Sequence, residues 1–384
     1  MITKFKIDNF KSLVGFECDL AKFTCLIGLN GAGKSTILQA MDFLSQLMAG
    51  DLSLWLDQRG WEKADLKSKF TTKSNIDFEV VIEDKEWGEI TWSGSINRAK
   101  LNCTRESVRV GQRNLLNVVE GHYTIAHLTG ESSRETTHPI VFEYQGSILS
   151  QLKGSQIPAP LRAIRQQMLE MKSLDLLSPA ALRKKSRASG KDLGLGGERL
   201  SAFIHELDSD NKDKLLDHLQ RLYPSLSLVS TSSLRSGWKE LSVIEQYGDK
   251  KITTEARHIN DGLLRVMAIA AQIQTEHNFL LFDEIENGIN PELVEILVNW
   301  LVDAPQQVMV TTHSPMILNY LEDTVATQGV LLVYKTPQGH TQAIPFFQIP
   351  GMAEKLNAMG PGEVFVDTDL VTLVSQINTK PAKG

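Results

Sequence analysis

The stretch "GLNGAGKST" (residues 28–36) decides the fold prediction, because it matches the pattern G-x-x-x-x-G-K-[ST]. It follows the apolar run "FTCLI" (residues 23–27) and precedes apolar residues at helical spacing in "ILQAMDFLSQL" (residues 37–47). We therefore predict a buried strand, a glycine-rich loop and a helix in this order. Backbone N–H groups of such a loop and the N-terminus of its helix bind phosphates.

Seven consecutive residues of this loop are expected to contact a nucleotide. Lys34 reaches the β- and γ-phosphates and so takes part in catalysis, and the Ser35 hydroxyl ligates Mg²⁺. The expected cofactors are therefore ATP and Mg²⁺. The predicted nucleotide-binding residues are Asn30, Gly31, Ala32, Gly33, Lys34, Ser35 and Thr36.

Acidic residues at the end of a second apolar strand supply a metal-binding carboxylate and a general base, which the loop does not contain. In "FLLFDE" (residues 279–284), Asp283 is predicted to hold the metal and Glu284 to polarise the attacking water as general base. Another apolar run, "VMVTTHSP" (residues 308–315), ends with His313, where an imidazole can read the γ-phosphate and position water. Each element alone has an ordinary structural explanation, but their combination predicts a phosphoryl-transfer site.

Composition limits the size of the core, the partners and the cellular location that can be expected. The 384 residues are 42% hydrophobic, which is enough for a large core, and the formal net charge of −6 restricts any polyanion contact to a local patch. Three cysteines, Cys18, Cys25 and Cys103, form no disulfide pattern, so a reducing, cytoplasmic location is expected. No segment approaches the length of a membrane-spanning helix.

Periodicity divides the chain into four predicted segments. Alternating runs such as "IDFEVVI", "EITWSGSI" and "IVFEYQ" predict an antiparallel, β-rich region, and residues 159–222 have mainly helical periods. The predicted segments are an N-terminal lobe with the loop and the β-rich part (1–150), a helical insert (151–255), a C-terminal lobe (256–345) and a C-terminal extension (346–384).

The stretch "INDGLL" (residues 259–264) stands before an apolar helix. Asn260 is a good N-cap, Gly262 permits close approach of a phosphate, and the positive end of the helix points outward. Asp261 must point away from any phosphate, and Arg265 one turn further is expected to offset its charge.

In their order, these motifs resemble the ATP-binding-cassette (ABC) ATPases, in the branch of SMC, RecF-like and overcoming-lysogenization-defect proteins. The most specific similarity is to its compact predicted ATPases, including those of antiphage systems of the Septu and retron type. The resemblance implies an α/β ABC-ATPase head with a β-rich antiparallel subdomain and a helical signature subdomain. It also implies a dimer in which Asn260 and Gly262 of one subunit close over the γ-phosphate held by the other, so both residues must be accessible. Asn260 departs from the serine that is usual in this branch.

Three further segments resemble parts of these ATPases. "IDNFKSL" (residues 7–13) is similar to an opening segment that brings Lys11 or Ser12 near the nucleotide. "EYQGSIL" (residues 143–149) is similar to the segment of the magnesium- and water-contacting glutamine, here Gln145. "ENGINP" (residues 286–291) stands where the family has the turn that crosses the dimer interface.

The predicted function is that of an ATPase that dimerises around ATP, forms a homodimer or a higher oligomer of dimers, and controls a separate nuclease or toxin in nucleic-acid sensing for antiphage defence. The alternatives are a RecF-type DNA-repair ATPase and an ATP-bound scaffold with little turnover. No heptad run predicts the long coiled-coil arms of SMC proteins. No membrane contact is expected.

Three minor features have structural explanations that are at least as good. The run Arg183, Lys184, Lys185, Arg187 and Lys191 leaves nucleic-acid contact open, but a solvated loop is the commoner explanation. The "DTD" at residues 367–369 has Asp-x-Asp spacing after "EVFV", and a solvated strand end is favoured. His122, His127 and His138 lack metal-ligand spacing and are expected to be structural or surface residues.

Overall fold

The computed structural model describes residues 1–129, 132–188, 190 and 192–379. Lys191 of the basic run lies outside these residues. By internal contacts the chain forms two compact units. The first contains Met1–Met171, Thr324–Met359 and Val364–Gly384, and the second contains Lys172–Asp323 and Gly360–Glu363.

The N-terminal part of the chain is mainly strand. Its strands are β1 (Ile2–Asp8), β2 (Phe16–Asp19), β3 (Phe23–Ile27), β4 (Asn75–Asp84), β5 (Gly88–Asn97), β6 (Asn102–Val110), β7 (Arg113–Val119), β8 (His122–Thr129) and β9 (Ser132–Pro139). Its α-helices are α1 (Lys34–Ala49), α2 (Leu52–Arg59) and α3 (Ala159–Leu169).

The middle part alternates helices and strands. Its strands are β10 (Met171–Leu174), β11 (Leu226–Ser233), β12 (Lys239–Tyr247), β13 (Lys250–Glu255), β14 (Phe279–Phe282) and β15 (Gln307–Thr311). Its α-helices are α4 (Pro179–Leu182), α5 (Leu200–Glu206), α6 (Ser209–Leu222), α7 (Asp261–Ile273), α8 (Pro291–Val302) and α9 (Pro315–Asn319). The remainder contains α10 (Asp323–Gly329), β16 (Val330–Lys335), β17 (Thr341–Pro345), α11 (Met352–Leu356), α12 (Pro361–Val366) and α13 (Leu370–Thr379).

The first unit contains an antiparallel sheet in the order β2-β1-β4-β5-β6-β7-β8-β9. Buried side chains alternate along β4, as expected for a strand with one face on a core. In the same unit β3 pairs in parallel with β16, and β16 pairs antiparallel with β17. All five residues of β3 are buried, which explains its continuous apolar sequence.

The second unit contains the parallel pair β14 and β15, both fully buried. Their register pairs Phe282 with Val310, so the residues that follow each strand emerge side by side. A separate antiparallel sheet, β11-β12-β13, packs against α5 and α6, and α7 packs against α4 and α6. The parallel pair therefore positions the acidic residues beside the "TTH" segment.

The predicted α/β class with a β-rich antiparallel part and helices before and around α7 is confirmed. The longest α-helix in the described residues, α1, has 16 residues, so no long coiled-coil arm occurs in them. Across the same described ranges, every helix is too short or too polar to cross a membrane.

Two local predictions were wrong. "IVFEYQ" (residues 140–145) is not a strand, because β9 ends at Pro139 and the segment continues as irregular backbone. "EVFV" forms part of α12, after which Asp369 accepts the backbone N–H groups of Val371 and Thr372 at the start of α13. Asp369 therefore caps a helix instead of ending a strand.

Candidate nucleotide-binding site

The predicted phosphate-binding loop lies between β3 and α1, as the sequence indicates. Its tip is exposed at Leu29, Asn30 and Gly31, and Gly33 precedes the helix with a left-handed backbone (φ 111°). No acidic residue occupies the first turn of α1. The helix N-terminus therefore offers N–H groups and a positive dipole to an anion, and no acidic side chain in the first turn repels it.

Lys34 is almost fully buried at the first position of α1. Its ammonium group donates to the carbonyl oxygens of Gly28 (2.9 Å) and Leu29 (3.3 Å). These bonds fold the lysine side chain back along the loop. The charge is thereby fixed beside the backbone that is predicted to surround the phosphates.

The glycines of the loop are needed for different structural reasons. A Cβ at Gly28 would lie 2.2 Å from the carbonyl oxygen of Val333, and a Cβ at Gly33 would lie 2.2 Å from the hydroxyl of Thr341. At Gly31 a Cβ would meet no atom within 4 Å, although φ is 75°. Gly28 and Gly33 are therefore required by packing inside the first unit as well as by backbone conformation.

In the second unit, Thr311 holds the two acidic residues that follow β14. Its hydroxyl accepts the backbone N–H of Glu284 at 2.8 Å and donates to a carboxylate oxygen of Asp283. Thr311 is fully buried, whereas the Glu284 side chain is 47% exposed. The arrangement fixes the backbone of Glu284 and leaves its carboxylate accessible, as a general base requires.

His313 lies next to this carboxylate. Its Nε2 is 3.7 Å from Oε1 of Glu284, and its ring is 37% exposed. Glu286 holds the backbone there, because its Oε1 accepts both the His313 N–H and the Thr312 hydroxyl at 2.9 Å. The parallel strands thus bring Asp283, Glu284 and His313 together, as the sequence predicts.

The signature residues lie at the start of α7. Asn260 is exposed, and its side-chain oxygen accepts the N–H of Leu263 at 2.8 Å, so it is the N-cap. Gly262 is buried, and a Cβ there would lie 2.7 Å from the carbonyl oxygen of Gly288. The expected accessibility holds for Asn260 but not for Gly262, where the glycine is needed for packing against the turn after Glu284.

The partner of Asp261 differs from the expectation. Its carboxylate pairs with the guanidinium of Arg183, which also donates to the carbonyl of Ile259 at 2.8 Å. Arg265 instead donates to the carbonyls of Leu177 (3.4 Å) and Glu284 (3.2 Å). Arg265 is buried because the apolar helix α7 carries it inward, away from the exposed Asp261.

The burial of Arg265 affects its ionisation and its surroundings. Desolvation lowers the pKa of its guanidinium, while the nearby carboxylates of Glu284, Glu286 and Asp283 act in the opposite direction. A cation beneath three acids reduces their mutual repulsion. Arg265 therefore supports the segment that carries Asp283 and Glu284.

The basic run is partly neutralised within the chain. Arg183 pairs with Asp261, and Lys185 pairs with Glu240 at 2.6 Å. The guanidinium of Arg187 lies 5.1 Å from the centre of the Trp238 ring. These contacts favour a structural role for the run over the neutralisation of a nucleic-acid backbone.

Lys11, Ser12 and Gln145, which were named only from segments similar to parts of ABC ATPases, contact different elements of the first unit. The ammonium of Lys11 donates to Gln39 of α1 (3.0 Å) and lies 3.1 Å from the centre of the Trp61 ring. The Ser12 hydroxyl is 2.8 Å from that of Thr341. Gln145 uses its amide on Ser53 near the start of α2: its Oε1 accepts the backbone N–H (3.0 Å), and its Nε2 donates to the hydroxyl (2.8 Å).

Several residues of the site were missed by sequence reasoning. Thr311 and Thr312 stand in the quoted "VTTH" run, where two hydroxyl groups at the end of an apolar strand were the available signal. The contacts of Arg183 with Asp261 and of Thr341 with Ala32 left no such signal, because the two residues of each pair are far apart along the chain. Among the described residues, no cluster of three or more His, Cys, Asp or Glu could hold a metal ion by itself.

Comparisons with known proteins agree with this fold. Residues 1–155 match a family model described as an AAA ATPase domain, and residues 176–319 match one described as an AAA domain, putative AbiEii toxin, type IV TA system. No curated protein matches the chain.

Similar solved structures include SMC heads. An SMC head bound to the C-terminal winged-helix domain of ScpA is 14% identical, with a TM-score of 0.56, over 89% of this chain and 96% of that one. An SMC head with an extended coiled coil, bound to the C-terminal domain of ScpA and derived from Pyrococcus furiosus, is 13% identical with a TM-score of 0.55, over 93% and 99%. A head with a coiled coil and joint from Pyrococcus yayanosii is 9% identical with a TM-score of 0.52, over 93% and 99%. The chain therefore has the fold of an SMC head, and its two domain matches support an ATPase.

Proposed function

We propose that the protein is a Mg²⁺-dependent ATPase that dimerises around two ATP molecules and thereby controls a separate effector, a nuclease or a toxin. The observation that carries the proposal is the exposed carboxylate of Glu284, 3.7 Å from His313, on a backbone held by Thr311. An acid fixed in this way beside an imidazole can activate water for attack on a phosphate.

The phosphate-binding loop would hold the nucleotide. Lys34 and the N–H groups at the start of α1 would bind the phosphates, while Asp283 and the Ser35 hydroxyl would supply oxygen ligands of the kind that Mg²⁺ prefers. Bound Mg²⁺ neutralises charge that develops on the phosphate oxygens during transfer. With only these two protein ligands, Mg²⁺ would take its other ligands from phosphate oxygens and water.

The start of α7 would close over the γ-phosphate of a second subunit. Asn260 is exposed there, with its oxygen engaged in the N-cap, so its NH₂ group can donate to an anion. The ion pair between Asp261 and Arg183 compensates the one acid at this helix end. Gly262 is buried and lets α7 pack against Gly288, so the proposed clamp assigns the phosphate contact to Asn260.

We include regulation of an effector in antiphage defence in the proposal, and two comparisons motivate it. The model matched by residues 176–319 describes a putative toxin of a type IV toxin–antitoxin system. Two of the similar SMC heads were solved with a domain of the partner protein ScpA. ATP-dependent dimerisation would give such a partner two states of the protein to distinguish.

Hydrolysis and assembly are tested together. Phosphate release is measured for wild type and Glu284→Gln, and oligomer size is measured by light scattering with and without ATP and Mg²⁺. We expect slow release by wild type, at least a hundredfold less by the variant, and a dimer that persists longest in the variant. An assembly that ATP leaves unchanged, with no phosphate release, would refute the proposal, whereas ATP-dependent assembly without turnover would identify a scaffold.

The biological setting needs its own experiment. The native operon is expressed in a bacterial host, with wild type or Glu284→Gln, and plaque formation by a panel of phages is counted. Protection by the wild-type operon and its loss in the variant are expected. Equal protection by both would exclude control of the effector by hydrolysis.

A further inference from the structure

We propose that Thr341, with Lys335 beside it, is a positioning residue that holds the backbone of the phosphate-binding loop in place. We call this set of contacts the brace. This inference rests on the proposed function, because it concerns how the ATP site is held in shape. Thr341 begins β17 and Lys335 ends β16, and these two strands pair directly. Neither residue belongs to the motifs recognised in the sequence.

The hydroxyl of Thr341 uses its full hydrogen-bonding capacity. It donates to the carbonyl oxygen of Ala32 at 2.8 Å and accepts from the ammonium of Lys335 at 2.9 Å. A hydroxyl has one proton to donate, so the Ser12 hydroxyl, 2.8 Å away, must donate to Thr341. Thr341 is fully buried, and loss of this hydroxyl would leave several polar groups without partners.

The bond to Ala32 orients a loop N–H group. In a trans peptide the C=O and the following N–H point in opposite directions, and no cis bond occurs in the described chain. Because Thr341 holds the carbonyl of Ala32, the N–H of Gly33 must point away from Thr341. The proposed function requires the phosphates to bind on that side of the loop.

The packing around Thr341 fixes the position as well as the direction. The site of a Cβ on Gly33 is 2.2 Å from the Thr341 hydroxyl and 2.8 Å from its methyl group, so the loop backbone lies directly on this side chain. The Thr341 N–H also donates to the carbonyl of Ser12 at 2.8 Å. The brace thus ties the loop to β17 and to the segment that follows β1.

The experiment compares Thr341→Val, which keeps the shape but removes the hydroxyl, with Thr341→Ser, which keeps the hydroxyl. Dissociation constants for ATP and for ADP, each with Mg²⁺, are measured by calorimetry well below the unfolding temperature. Thr253→Val, at an exposed threonine of β13, is the matched control. We expect valine to weaken both nucleotides about tenfold or more and serine to recover most of the affinity.

Lys335→Met provides a second variant in case Thr341→Val does not fold. It leaves the bond from Thr341 to Ala32 intact but removes the ammonium, and a severalfold weaker affinity for both nucleotides is expected. Unchanged affinities in folded variants, with only a lower unfolding temperature, would overturn the brace while leaving the proposed function in place. A wild-type protein that binds neither nucleotide would instead overturn the proposed function, and the brace with it.

Discussion

The backbone N–H of Glu284 donates to the hydroxyl of Thr311 at 2.8 Å, and this bond joins two neighbouring parallel strands at their carboxyl ends. Glu284 has a positive φ of 47°, a conformation that costs a non-glycine residue about 1–3 kcal/mol. The strain persists because surrounding contacts offset it. Thr311 provides one of them, and it connects the conformation of Glu284 to the position of Asp283.

Thr311→Val removes this contact without changing the shape of the side chain. We expect kcat for ATP hydrolysis to fall about tenfold with a smaller change in the ATP dissociation constant, because Glu284 and Asp283 lose their shared hydrogen-bond partner while the phosphate-binding loop is intact. The buried N–H left without a partner should also lower the free energy of unfolding by about 1–3 kcal/mol. Steady-state kinetics and denaturant unfolding measure both effects, and a Thr311→Ser variant as impaired as valine would contradict the role of the hydroxyl.

Asn260 can be tested without disturbing the helix cap. Aspartate and serine both accept the N–H of Leu263, so Asn260→Asp and Asn260→Ser should unfold at nearly the wild-type temperature. Aspartate adds a negative charge where the γ-phosphate of the other subunit is proposed to lie, and should abolish the ATP-dependent dimer. Serine should preserve the dimer. Sedimentation in ATP distinguishes them, and a normal dimer in the aspartate variant would exclude the clamp.

Gly262→Ala tests the packing role directly. Alanine favours helix formation over glycine by about 1 kcal/mol, yet its Cβ would lie 2.7 Å from the carbonyl oxygen of Gly288. We expect the clash to dominate and the free energy of unfolding to fall by about 1–3 kcal/mol, even without nucleotide. Thermal unfolding in the absence of ATP is the measurement. A more stable variant would show that the turn at Gly288 can move enough to accommodate the added Cβ.

His313→Gln removes the imidazole that lies beside Glu284. Hydrolysis should slow by about tenfold to a hundredfold, with ATP binding and ATP-dependent dimerisation retained, because the ring contacts neither the loop nor Asn260 in the proposed mechanism. His122→Gln, an exposed histidine at the start of β8, is the matched control and should keep wild-type turnover. Equal rates for the two variants would remove His313 from the mechanism.

Local pattern was sufficient for much of the candidate site. The loop at residues 28–36, the acids after β14 and the N-cap at Asn260 are each encoded by neighbours in the chain, through strand burial, glycine spacing and capping chemistry. The roles given to these residues stay predictions until nucleotide binding and hydrolysis by the protein are measured. The domain boundaries predicted from periodicity also remain predictions. Where periodicity was short, as in "EVFV", the same reasoning gave a strand instead of the helix that formed.

The sequence by itself determined the order of strand, loop and helix, the α/β class and the choice of groups to which we assign the chemistry, because these depend on contacts between near neighbours. Only the tertiary structure decided which groups support them. Arg183 reaches Asp261 and Thr341 reaches Ala32 across 78 and 309 positions of chain. Such pairs depend on strand pairing and helix packing, which bring distant segments together by burying apolar surface, and a single hydroxyl or guanidinium leaves no periodic signal of where that burial will place it.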